Sequence, residues 1–269
     1  MRDANSDSLL SVPVNGPAKD EAATENQQTK MHNYCKTIGA LAAASALVAG
    51  NAQAEVEYEL HTGYSSEYIF RGLDLGDNLT EVGVDVAGKW NNIGLSAGVW
   101  AAAFNQSPVD SGNEIDNEVD WYTEATYDFG FMTGGVGYIY YWNLGNLGED
   151  AQEVYFSASR DFGFATASLT YFWGIDGPSN DGYTELALSR SFELSPCLAL
   201  NTSTNVGYLI EAGDFTAWTS KVSLDWGFAE HAKLSPFVAL SVALSDSNDT
   251  AYNGSGNEFS AGSMLSVSF

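Results

Sequence analysis

Five carboxylates of one short stretch, Asp116, Glu118, Asp120, Glu124 and Asp128, share a single parity, while Val119, Trp121, Ala125, Tyr127 and Phe129 take the other. In an extended chain successive side chains point to opposite faces, so the acids form a ladder on one side of a strand and the apolar residues cover the other. A wall of carboxylates concentrates cations and repels anions, as acidic rings do in cation-selective pores. By the same parity Glu67, Glu81 and Asp85 join this wall, with Glu57, Glu59, Glu153, Glu185, Glu211, Asp225 and Glu258.

Arg71 is the second candidate, on the face of Glu67 and Ile69 and followed by Gly72. A guanidinium among many carboxylates suits bidentate pairing, which fixes local geometry. Lys89 and Lys221 read the same way. Catalysis finds less support. Beyond residue 54 the histidines are His61 and His231, and Ser65 lies four residues along from His61. There is no nucleophile paired with a base, no phosphate-cradling glycine loop and no Cys/His metal set, so neither enzyme chemistry nor a cofactor is expected. Acids also crowd the inter-strand stretches (Asp74, Asp77, Asp110, Glu114, Glu149, Asp150, Asp176, Asp181, Asp246 and Asp249) without calcium-loop spacing, and they read as solvated.

What must position these residues is a long series of period-two segments. About twelve are legible, near 56–71, 79–90, 93–104, 116–129, 131–143, 151–161, 163–174, 182–194, 197–211, 215–229, 233–246 and 257–269. Brief turns at Asn91-Asn92, Gly130, Phe162-Gly163, Ser195-Pro196 and 230–232 alternate with longer polar stretches at 72–78, 105–115, 144–150, 175–181 and 247–256. Only 212–214 is short where a long connection is due. Short turns at one end and long loops at the other are the pattern of a transmembrane antiparallel up-and-down β-barrel, and an even strand number puts both termini at the short-turn, periplasmic end. Trp90, Trp121, Tyr122, Tyr141, Trp142, Trp173, Trp226 and Phe228 fall near predicted strand ends, where aromatic girdles meet the headgroups.

A soluble β-sandwich also alternates, but its outer face is wet. Here one face of nearly every segment is free of charge, and a sandwich core would have to bury the acids of the other at several kcal/mol or more for each unpaired charge. Arg160 and Arg190 fall on the apolar face near brief turns, where long side chains snorkel. Bulky residues assigned inward (Ile139, Tyr141, Tyr155, Phe164 and Phe172) narrow the bore, while many small inward residues widen it. A barrel of about twelve strands lies between filled and open types.

The N-terminal residues have another character. Residues 1–30 are polar and acidic and read as disordered or as a spurious extension. From Met31 a short polar start with Lys36 leads into an apolar run and then Ala52-Gln53-Ala54, the plan of a secretory signal cleaved after Ala54. Cleavage removes Cys35 and leaves Cys197 as the single cysteine of the barrel, residues 55–269, which excludes an internal disulfide. The chain has 35 acidic and 10 basic residues, a net charge of −25. That balance excludes nucleic acid as a partner.

The stretch Gly63-Tyr64-Ser65-Ser66-Glu67-Tyr68-Ile69-Phe70-Arg71-Gly72 resembles the opening strand of the TorF family, the Gcw_chp-type outer-membrane proteins. Residues 94–100, Gly-Leu-Ser-Ala-Gly-Val-Trp, are similar to that family's second hairpin. The alternation ending in Phe269 resembles the C-terminal signal read by the barrel-assembly machinery. The resemblance implies a porin of the cell outer membrane, surrounded by its lipid, with no defined substrate. The expectation is passive diffusion of small solutes, with cations favoured by an acidic lumen. The alternative is a non-conducting structural or adhesive barrel acting through acidic external loops.

Overall fold

The structure, a computed structural model, describes residues 56–106, 115–144, 149–177, 182–244 and 256–269. Twelve strands follow one another: β1 (Val56–Phe70), β2 (Leu73–Trp90), β3 (Ile93–Gln106), β4 (Ile115–Asp128), β5 (Thr133–Asn143), β6 (Ala151–Asp161), β7 (Thr166–Asp176), β8 (Tyr183–Ser195), β9 (Leu198–Leu209), β10 (Asp214–Gly227), β11 (Ala232–Ala243) and β12 (Glu258–Ser268). Each pairs antiparallel with its sequence neighbours, and β12 returns to β1 to close the barrel. Closure leaves no sheet edge, so every strand finds backbone partners on both sides. At the seam Glu59 lies opposite Ser268 and Ser65 opposite Gly262, and Phe269 exchanges backbone hydrogen bonds with Tyr58.

The two faces divide as the alternation predicts. Leu60, Val82, Leu95, Trp121, Val136, Leu169 and Val238 all point outward and are exposed. Trp121 and Leu169 leave 50% of their surface open, an apolar display far beyond what a soluble monomer tolerates as one continuous belt. Aromatic rings concentrate at the short-turn end: Tyr127 meets Phe129 at 4.8 Å and Trp226 meets Phe228 at 5.7 Å. Arg160 and Arg190 lie outside near this end, over Phe162 and Phe192. Tyr122, expected in the girdle, instead points inward and hydrogen-bonds to Asp85; Tyr141, expected near a strand end but also assigned inward by parity, points inward and hydrogen-bonds to Glu153. Phe164, assigned to the lumen, is 68% exposed in the β6–β7 turn beside Phe162, because β7 begins three residues later than the alternation suggested.

Glu211 falls in the β9–β10 turn and not on a strand, and that connection is short, as read. The largest departure is at 72–78, expected as a loop. There β1 and β2 run on as one hairpin closed by Arg71 and Gly72, both at positive φ (52° and 89°), the arrangement of a two-residue type I′ turn. Asp74 and Asp77 are therefore strand residues. Register shifts after Tyr68 on β1 and between Asp77 and Thr80 on β2 bend this hairpin, since an extra unpaired residue sharpens the local bend. Cys197 lies at the β8–β9 turn, and Cys35 lies outside the described residues. The predicted signal, residues 31–54, and the extension before it are also outside them.

Candidate lumen site

β4 brings the acid ladder inward as its parity requires, but its members do not share one environment. Asp116 and Glu118 are buried, and Tyr68 donates to Glu118 Oε2 at 2.8 Å. Asp120 has a buried oxygen, Oδ1, with no hydrogen-bond partner among the described residues. Glu124 accepts from Ser157 at 2.9 Å. Asp128, placed with the lumen acids, spends its Oδ1 on the Gly130 amide at 2.7 Å and is part of the β4–β5 turn.

The acids of β1 and β2 are held by aromatic and imidazole donors. Tyr122 donates to Asp85 Oδ1 at 2.5 Å, His61 Nδ1 is 3.2 Å from Asp85 Oδ2, and Trp100 Nε1 donates to Glu81 Oε2 at 2.5 Å. These side chains fit because inward glycines on neighbouring strands leave them space. A Cβ on Gly98 would collide with the Tyr122 ring, and one on Gly137 with Tyr155. The wall from β1 to β6 is therefore a packed polar network more than an open carboxylate surface, since each bond to a carboxylate also restrains it.

Arg71 has the most constrained surroundings. The bent β1–β2 hairpin leans over the bore, and Arg71 reaches β6, where both guanidinium nitrogens bond Glu153 at 2.8 and 2.7 Å. Tyr141 donates to the same carboxylate at 2.9 Å. The rings of Phe70, Phe172 and Tyr183 lie 4.5–4.7 Å from the guanidinium carbon. Planar stacking with a bidentate partner is the environment for which arginine, and not lysine, is suited. Next to it, a Cβ on Gly72 would run into Ala217 of β10. The hairpin tip thus touches two distant parts of the wall and forms a roof.

Under that roof is a cavity of about 310 Å³. Glu67, Glu81, Glu185 and Lys221 are its charged lining beside Arg71, and Trp100 and Phe237 give it apolar surface. Lys221, expected in a structural ion pair, has none among the described residues; it is exposed to the lumen, 4.0 Å above the Phe237 ring. Its neighbour in type, Lys233, is paired with Asp225 at 3.3 Å. Among the described residues no group of acids, histidines and cysteines is arranged to hold a metal ion.

Strand parity assigned Arg71, Glu67, Glu81 and Asp85 to the lumen; Glu67, Arg71 and Glu81 line the cavity, and Asp85 is bonded to Tyr122 and His61. Sequence reasoning missed that Glu153 is Arg71's partner and that Phe172, Tyr183 and Tyr141 complete the clamp. Strand parity says which way a residue points and nothing of which distant strand it faces. The residue pair Arg71-Gly72 was a usable sign of a tight hairpin, since glycine there supplies a left-handed position.

No protein-family model and no curated protein matches the chain. Among solved structures it is similar to the NanC porin, at 12% identity and a TM-score of 0.51, covering 78% of this chain and 98% of that one. It also aligns with the COG4313 outer membrane channel from Pseudomonas putida F1 (13% identity, TM-score 0.49, 82% and 97% covered). A third alignment is to outer membrane phospholipase A from Escherichia coli (13% identity, TM-score 0.45, 87% and 97% covered). The likeness to NanC is one of fold: the chain has the architecture of outer-membrane porin barrels.

Proposed function

We propose that this chain is an outer-membrane channel for passive diffusion of small solutes, with a preference for cations. The observation that carries the reading is the contrast between the walls. A largely apolar exterior faces lipid, while the interior holds Asp85, Glu118 and Asp120 on its wall and Glu67, Glu81 and Glu185 around a cavity. Burying charge in this way is tolerable where water and mobile ions share the space. The resemblance of residues 63–72 to the TorF family favours the same reading, as does the porin-type fold. Export through a signal ending at Ala54, and assembly through the strand ending in Phe269, belong to this proposal.

A second reading, a non-conducting barrel, draws on the roof: the Arg71 tip narrows the bore at the end away from the termini. The two are separated by single-channel recording in planar bilayers. A steady current with a reversal potential of cationic sign supports the channel. An inserted barrel silent both with and without the Arg71 side chain supports the second reading.

A further inference from the structure

The cavity beneath the hairpin tip contains charges of both signs held apart. Lys221 rises from β10 with its ammonium over Phe237 and with no carboxylate within ion-pair distance among the described residues. Glu81 and Asp225 act on it through space, and Asp225 is occupied by Lys233. Among the described residues Glu81 is anchored through Oε2, by Trp100. Its other oxygen sits where Gly63 has no side chain; a Cβ there would be 2.8 Å from Oε1. Among the described residues Glu185 likewise accepts on Oε2, from Tyr183 at 3.3 Å and Asn205 at 3.1 Å. A lone cation would gather at the acids but meet Lys221 as a like charge, and a lone anion would meet three carboxylates. A solute with both charges satisfies each pole.

We propose that this chamber binds a small zwitterion of amino-acid size, its carboxylate on Lys221 and its ammonium among Glu81, Glu185 and Glu67. A volume of about 310 Å³ accommodates such a molecule, at the lower end of ordinary ligand cavities. Trp100 and Phe237 give apolar surface for its carbon chain. The proposal deepens the channel reading, on which it rests, by naming the class of solute that pauses in the lumen.

The test is equilibrium binding by isothermal titration calorimetry on the exported protein purified in detergent. Glycine, β-alanine and 4-aminobutyrate serve as zwitterions of increasing charge separation; propionate and propylammonium carry one charge each. The expected result is that at least one zwitterion binds about tenfold more tightly than either single-charge analogue, since losing a charged hydrogen bond costs about that much. Lys221→Met abolishes the advantage over propylammonium, and Glu81→Gln abolishes the advantage over propionate. Lys221→Gln is run beside the methionine variant, and native fold is checked by heat-modifiable gel mobility. Zwitterions that bind no better than propylammonium, or an advantage that survives in folded Lys221 variants, overturn the proposal. Because binding is measured without current, the two failures separate: current without binding removes the site and leaves the channel, and binding without current does the reverse.

Discussion

Arg71, in the β1–β2 turn, and Glu153, on β6 four strands beyond β2 around the barrel wall, meet side chain to side chain in a two-bond ion pair of 2.7 and 2.8 Å across the bore. Both are nearly buried, at 9% and 6% exposure. In such a pair the loss of one partner strands a charge and costs about 3–5 kcal/mol, whereas replacing both with apolar residues is close to neutral. Glu153→Gln should therefore lower the unfolding midpoint in urea more than the double change Arg71→Met with Glu153→Leu. Equal destabilisation by the two would show that the pair does not hold the tip.

Gly72 tests the tip from another side. It combines φ of +89° with a site where a Cβ would run into Ala217. Gly72→Ala should cost about 1–2 kcal/mol for the left-handed backbone alone, and more from the collision. Adding Ala217→Gly should recover the steric part only. Urea titrations of the single and double variants read the difference directly.

Selectivity should depend on position along β4. Asp120 lies on the inner face with its Oδ1 buried and without a hydrogen-bond partner among the described residues, whereas Asp128 is engaged by the turn amide of Gly130. Asp120→Asn should move the reversal potential in a salt gradient toward zero. Asp128→Asn should leave it unchanged and weaken the β4–β5 turn by about 1 kcal/mol. A shift of the same size from both would mean that the acids act only through net charge.

Phe269 joins the seam through its backbone, bonded both ways to Tyr58, while its ring is 67% exposed. Phe269→Ala keeps those backbone bonds. Refolding in detergent should proceed as in the parent protein, and the yield of folded barrel in cell membranes should fall if the ring is what the assembly machinery reads. Equal yields in cells would remove Phe269 as an assembly signal.

Much of this architecture was legible because a barrel wall in lipid imposes one rule on every strand. Val82, Val84 and Val86 against Glu81, Gly83 and Asp85 could face only one way. The termini of most strands followed from turn residues such as Asn91-Asn92. The β1–β2 hairpin was misread because Asp74 and Asp77 look like loop residues by type. They are extended because a bent hairpin held over a wet lumen keeps polar side chains on strands. The Arg71 clamp was invisible for a different reason: β6 meets the β1–β2 tip only after closure, a relation between residues 82 positions apart. Lys221 was assigned to an ion pair by the general habit of lysines among acids, but Asp225 of its own strand pairs with Lys233 and Lys221 lies over Phe237.

The proposed channel is a cation-preferring pathway narrowed by the Arg71 tip. Single-channel conductance and reversal potential, recorded for the parent protein and for Arg71→Ala, test it most directly. A small cationic conductance is expected in the parent protein and a larger one, of the same sign, once the tip is released. Inserted barrels that carry no current in either form, or currents with no preference between ions, would contradict it.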